Sequence, residues 1–413
     1  MAEKCPLVVV VAALLATAAL AVARPAAGSG GDCADDSAAK TMYRVGTSYQ
    51  AMGLYEEAAE CYERLATLHP RDTESAAALS DAAILRLGLG DDASAIKDVA
   101  RFLESWGYTR RPEVAQLELM VATHRAERGE KERARATLRG SMEMLDRAPI
   151  DLTIRAHALA ATLAETPAIA RAEHAKVRAA WADPEAGERA LRRGWPNDDQ
   201  ARLDRRLARV LDDVGAALFF AAEERRHAEV DSVKLPLHTG AIDRAALDSY
   251  ATTTLRDWYM KRRAAIERLE PEYLALLQLR PVPPPRWVIA AGSATGAMWG
   301  DFADDLRRVA APAAWKKEPL LYKAYTEALD AMREPILTGR AKPAMKKCLD
   351  LSVKYQLTDE HSRTCEAWLV AHYTREFPAI DELIPPLRQP PGPASALHRP
   401  DSPLRAPLLP PDR

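Results

Sequence analysis

The sequence predicts an all-α protein, and three observations carry that reading. Alanine, the strongest helix former, supplies 79 of 413 residues while glycine supplies 19, a balance that favours helix over turn-rich β structure. Apolar residues recur at helical spacing almost without a break between residues 39 and 384. Within residues 39–181 the pattern is also paired: two short amphipathic stretches flank a glycine, and the arrangement then repeats. Hydrophobic (48%) and charged (28%) fractions near globular averages exclude disorder throughout, and the length suffices for two or three domains. A formal net charge of −2 gives no overall attraction to nucleic acid or to an acidic membrane.

Residues 7–23 (LVVVVAALLATAALAVA) form an uncharged apolar run behind Lys4 that ends in the small-x-small site Ala21-Val22-Ala23. This is the layout of a secretory signal peptide over residues 1–23, with retention as a membrane anchor as the alternative. Cys33 follows Asp32 and Cys5 precedes the apolar run, so neither is placed for lipidation. The mature chain is expected outside the cytoplasm, in the periplasm or otherwise exported. Residues 24–38 are small, polar and glycine-rich, a flexible linker. Residues 385–413 hold 10 of the 29 prolines and cannot bury enough surface to offset chain entropy, so a disordered tail is expected.

The clearest paired unit runs from Ala39 to Pro70. Val45, Gly46 and Tyr49 share a face of its first helix, Gly53 makes the turn, and Ala58, Tyr62 and Leu65 lie on the second helix before Pro70. Small residues at Gly46 and Ala58 let the two helices approach closely. The set recurs with Ala83, Gly90, Ala95 and Val99, and again with Ala122, Gly129, Ala134 and Leu138. A fourth pair runs from Leu152 to Trp181, with Ala158 and Ala170 at the close-contact positions and Glu165 in place of the turn glycine. In their small, aromatic and terminating-proline positions these units resemble the tetratricopeptide repeat. The turn glycines lie 37 and 39 residues apart, against about 34 in that family. The surplus sits in connections such as Trp106 to Pro112.

The resemblance implies a solenoid whose first helices line a concave, partner-binding face. Carried over residue by residue, it places Tyr43, Thr47 and Gln50 there in the first unit, Ile84 and Leu87 in the second, and Leu119 and Thr123 in the third. Members that grip a peptide carboxylate use Lys and Asn at such positions. Here the residues are neutral or apolar, apart from Lys40 at the rim, so an apolar strip or helix of a protein partner is the expected ligand. The alternative is that the chain's own C-terminal helices fill this face, leaving a structural subunit.

The C-terminal half, residues 198–384, is read as a second helical region. Leu203, Leu207, Val210, Leu211, Val214 and Leu218 form one helical stripe. Tyr250, Trp258 and Ile266 lie on a long helix that Pro271 is expected to kink or restart. Pro281 to Pro285 is a stiff break, a new helix opens near Trp287, and a last hairpin spans Pro343 to Tyr373. VPPPRWVIAAGSATGAMWG, WKK at 315–317, KCLDLSVKYQ and SRTCEAWL are similar to segments of exported tetratricopeptide proteins of myxobacteria. Some proteins of that group serve envelope gliding or trafficking machinery, so the resemblance implies an envelope role and adds no catalytic residue.

Candidate chemistry is sparse. Four cysteines lie outside the signal segment, an even number that in an exported chain reads as disulfides. Cys348 and Cys365, with sixteen residues between them, suit two turns out and two turns back along a helical hairpin; Cys33 and Cys61 are the weaker pair. Zinc at Cys348, His361, Cys365 and His372, or unpaired thiols, are the competing readings. Glu224 and His227 form an E-x-x-H step of the kind di-iron bundles use, but a second copy is missing and a solvated helix face is the simpler account. Gly292, Gly296 and Gly300 recur every four residues as a seam for a closely packed helix. The sequence carries no Ser-His-Asp signature, P-loop or H-E-x-x-H step, and it calls for no cofactor. The expected function is therefore an exported scaffold that binds a protein or peptide in a cell-envelope assembly. A metal-dependent helical enzyme would rest on the two clusters just named.

Overall fold

The computed structural model describes residue 33 and residues 37–378, apart from 239, 240, 242, 310, 312 and 313. The expected signal segment, most of the linker and the proline-rich tail lie outside the described residues. Among those residues every regular element is helical. The chain begins with successive antiparallel pairs: α1 (Ala39–Ala51) with α2 (Tyr55–Leu68), α3 (Ser75–Leu89) with α4 (Asp92–Trp106), α5 (Arg111–Glu127) with α6 (Lys131–Leu145), and α7 (Ile150–Thr162) with α8 (Pro167–Ala180). The pairs stack as an all-α solenoid of helical repeats.

The turns inside the first three pairs are alike. Gly53, Gly90 and Gly129 have φ of +78°, +81° and +80°, a left-handed conformation that a side chain would strain. The N–H that follows each glycine reaches back to the first helix: Leu54 to the Tyr49 carbonyl, Asp91 to Arg86 and Glu130 to Arg125, each at 2.9 Å. Three copies of one C-cap therefore fix three helix reversals. The fourth pair reverses without a glycine. Thr166 caps α8, its hydroxyl accepting from the Ile169 N–H at 3.3 Å, and Pro167 opens the helix.

Gly46 and Ala58 are both buried, but the side chain pressed on Gly46 is Tyr62, one turn beyond Ala58. A Cβ at position 46 would stand 2.7 Å from the ring carbon Cδ1 of Tyr62. The small residue thus makes room for an aromatic ring, where the sequence had suggested room for a second small residue.

After α9 (Pro184–Gly194) comes α10 (Gln200–Arg225), 26 residues long and about 39 Å from end to end. Its first half, through Leu207, Val210, Leu211 and Val214, shares a core with Ile154 and Val177 of the last solenoid pair. Its second half joins a different core through Ala222 and the neighbouring Leu218 and Phe219. Arg206 fixes the first half from the side. It pairs with the buried Asp151 at 3.0 Å and with Asp198 at 2.7 Å. Its guanidinium carbon lies 3.5 Å from the Trp195 ring centroid, and Trp195 Nε1 donates to Asp151 at 2.8 Å.

The C-terminal region comprises α11 (Arg244–Ser249), α12 (Arg256–Leu276), α13 (Pro285–Arg307), α14 (Pro319–Ile336), α15 (Lys342–Tyr355) and α16 (Glu360–Tyr373); α12, α13 and α14 build the second core, while α15 and α16 pack with Val288 and Ile289 of α13 in a third. Wider, π-helical turns at Arg226–Val230, Tyr250–Leu255 and Leu337–Ala341 adjoin α10, α12 and α14. Of the kink or restart expected at Pro271, the restart does not occur: the proline lies inside α12 without ending it. Tyr273 and Leu276 beyond the proline are fully buried, and that packing outweighs the lost backbone hydrogen bond. The glycine seam on α13 receives α15 and α16. Cβ atoms at Gly292, Gly296 and Gly300 would stand 3.1, 2.7 and 2.8 Å from Cys348, Met345 and Trp368.

Candidate partner-binding surfaces

Of the residues expected on the concave face, α1 brings three together around Tyr62. The Tyr62 hydroxyl donates to Gln50 Oε1 at 3.0 Å and lies 3.3 Å from Thr47 Oγ1, and the Tyr43 ring centroid is 5.6 Å from that of Tyr62. Burial, with help from the charges of Asp81 and Glu74, pushes the Tyr43 hydroxyl up to about 12. Burial alone lifts the Asp81 carboxyl to about 7. Tyr43 and Thr47 are half-buried and remain reachable.

Gln50, Ile84, Leu87 and Leu119, expected to meet a ligand, are instead core residues. Ile84 and Leu87 share a cluster with Val114, Leu117 and Val121 of α5, and Leu119 shares one with Ala134, Leu138 and Leu152. For Ile84 and Leu87 the cause is the position of α3, which α2 and α4 sandwich while α5 closes a third side. Its sequence, SAAALSDAAILRLGL, is apolar around most of the cylinder, and that is the signal for a helix buried on all sides. Thr123 stays half-buried and spends its hydroxyl on the Leu119 carbonyl at 2.7 Å. The accessible remnant of the expected face is Tyr43, Thr47 and Thr123.

The candidate metal sites resolve into other contacts. Glu224 accepts two hydrogen bonds from one edge of the Arg171 guanidinium, at 2.6 and 2.7 Å, which holds its carboxyl below the usual range, and His227 pairs with Asp231 at 2.9 Å. Cys348 stands at disulfide distance from Cys365, with Cα atoms 6.4 Å apart, and Cys33 does so from Cys61, with Cα atoms 5.6 Å apart. His372 stacks on Trp368 at 4.1 Å, and His361 meets the Phe219 ring edge at 5.7 Å. Among the described residues no group of three or more His, Cys, Asp or Glu side chains is arranged to hold a metal ion.

A surface the sequence did not announce lies on α14. An apolar groove of about 210 Å³ separates this helix from α12 and the turn before it, with Tyr325, Ala328, Leu329 and Met332 on one wall and Leu255 and Tyr259 on the other. The helix continues beyond the groove as exposed Leu320, Leu321 and Tyr322, at 85%, 37% and 40% exposure. No family model matches the chain, and no curated protein does either.

Proposed function

We propose that the chain is an exported scaffold of the tetratricopeptide type that holds a protein partner in an envelope assembly. The observation that carries the reading is α10, a single helix built into both the repeat stack and the C-terminal bundle, which fixes two unlike surfaces on one frame. Two cysteine pairs at disulfide distance support an oxidising, exported environment, and among the described residues no helix is long and apolar enough to cross a membrane. The partner is expected at Tyr43, Thr47 and Thr123.

Photo-cross-linking residues placed at Tyr43 and Thr123 in producing cells test this. The same protein captured from both positions supports the scaffold. A second reading is a structural subunit whose solenoid is internally filled by the C-terminal helices; Ile84, Leu87 and Leu119 are buried, but under neighbouring repeat helices. On that reading the cross-links arise instead from the outer helices, where Ile96 and Leu103 of α4 are exposed. Silence at Tyr43 and Thr123 with capture at Ile96 and Leu103 selects it.

A further inference from the structure

Leu320 is the most exposed of the large apolar residues among those described, at 85%, and it does not stand alone. Leu321 and Tyr322 beside it are exposed as well, so the first turn of α14 presents a Leu-Leu-Tyr tip. Leu321, Tyr325, Ala328 and Met332 follow one another at helical spacing, so the tip is continuous with the apolar groove. Scattered exposed leucines are ordinary, whereas a contiguous apolar strip of this kind marks a contact surface.

The charge around the tip sets the kind of contact. Between Arg307 and Ala324 the chain carries five basic residues, Arg307, Arg308, Lys316, Lys317 and Lys323, against one acid, Glu318, in a protein whose net charge is −2. All five are exposed. Lys323 makes a loose pair with Glu327 at 3.7 Å and Arg308 pairs with Asp305 at 3.0 Å, while Lys316 and Lys317 have no ion pair among the described residues. Trp315 lies edge-on to Tyr325 at 5.5 Å, and the Tyr325 hydroxyl donates to the Val309 carbonyl at 3.3 Å, so one residue of α14 holds the segment at two points.

We infer that this tip is a membrane-surface anchor, seating Leu320, Leu321 and Tyr322 among lipid chains and headgroups while Lys316, Lys317 and Lys323 meet anionic lipid phosphates. Exposed leucines flanked by Trp, Tyr and several lysines are the side-chain set that settles at the boundary between headgroups and acyl chains. An apolar protein groove would accept the leucines without needing the excess of positive charge. The lysines are therefore what favours an anionic bilayer over a protein partner. The inference is independent of the scaffold reading, which rests on cross-links from the solenoid.

Co-sedimentation with vesicles tests it, using the exported chain and two variants, Leu320→Asn/Leu321→Asn and Lys316→Gln/Lys317→Gln/Lys323→Gln. All five positions are exposed, so both variants should keep the parent helicity and melting temperature. Vesicles of phosphatidylethanolamine with about a third phosphatidylglycerol should bind the parent chain, more weakly as salt rises, while phosphatidylcholine vesicles should not. The lysine variant should lose roughly 100-fold in affinity. The leucine variant should lose about 10-fold or more. Failure to bind the anionic vesicles, or equal binding to both vesicle types, overturns the inference. So does binding that either variant leaves unchanged, which would assign it to another part of the chain. A protein cross-linked from Tyr322 in cells, with no vesicle binding in vitro, would make the tip a protein-docking surface instead.

Discussion

Glu63 of α2 grips the edge of the Arg86 guanidinium on α3 with two hydrogen bonds, 2.7 and 3.0 Å long. Its remaining neighbour is the buried Asp98 of α4, whose carboxyl is pushed up to about 7 by burial first and then by the charge and hydrogen bond of Glu63. Below about pH 7 Asp98 is therefore mainly protonated in the folded protein, beside the Glu63 carboxylate.

That proton makes stability depend on pH. Between about 4, where an unfolded aspartate loses its proton, and about 7, where Asp98 does, the folded state binds more protons than the unfolded one. Stability should fall as pH rises through that window, by on the order of 2 kcal/mol from this group. Asp81 and Asp213, both lifted to about 7 by burial, add the same sign, while His174, pulled down by burial, opposes them. Urea midpoints measured from pH 5 to 7.5 for the parent and Asp98→Asn check this: the variant should have the flatter slope. Parallel slopes would remove the proton from Asp98.

Removing Arg206 should be costly beyond its own contacts. Arg206→Ala leaves Asp151 buried without its counter-charge, a change that typically costs about 3–5 kcal/mol. Trp195→Phe, which deletes only the indole donor to Asp151 and keeps most of the stacking surface, should cost about 1–2 kcal/mol. Thermal melts of the two variants decide it, and equal losses would mean that the ring, not the ion pair, holds α10.

Two glycines should answer oppositely to alanine. At Gly46 a methyl group would collide with the Tyr62 ring, which is held in place by its bond to Gln50, so Gly46→Ala should destabilise by about 1–3 kcal/mol. At Gly140, inside α6, an added Cβ meets nothing within 4 Å, and Gly140→Ala should stabilise by about 0.5–1 kcal/mol. Calorimetry of the pair tests the packing directly.

Peptide mapping without reductant should recover Cys348 joined to Cys365 and Cys33 joined to Cys61. Cys348→Ser/Cys365→Ser should lower stability by about 2–4 kcal/mol, since it frees the 17-residue span that the pair closes. Free thiols at both positions in exported protein would contradict the pairing.

What the sequence revealed, it revealed through local chemistry. Gly53, Gly90 and Gly129 were legible as turns because left-handed backbone nearly dictates the residue type. The glycine seam of α13 was legible because its period matches the helix. Ile84 and Leu87 were misplaced because the repeat pattern assigns a face without saying how closely the neighbouring helix comes; the apolar girth of α3 held that answer. The bonds from Arg206 to Asp151 and from Tyr62 to Gln50 were hidden, since each joins residues on different helices whose approach no local pattern encodes. The α14 tip was hidden for the opposite reason: an apolar residue in sequence reads as interior until the fold leaves it outside.

The shared helix also bears on how this chain can be taken apart. A cut placed between α9 and α10 strips the last repeat pair of the surface that covers Ile154 and Val177, and a cut just after 225 leaves Leu218, Phe219 and Ala222 without the bundle that shelters them. Any cut between those points divides a continuous apolar ridge and leaves both fragments with a raw edge. Fragments divided at or within α10 would therefore each need a copy of that helix to cover these faces.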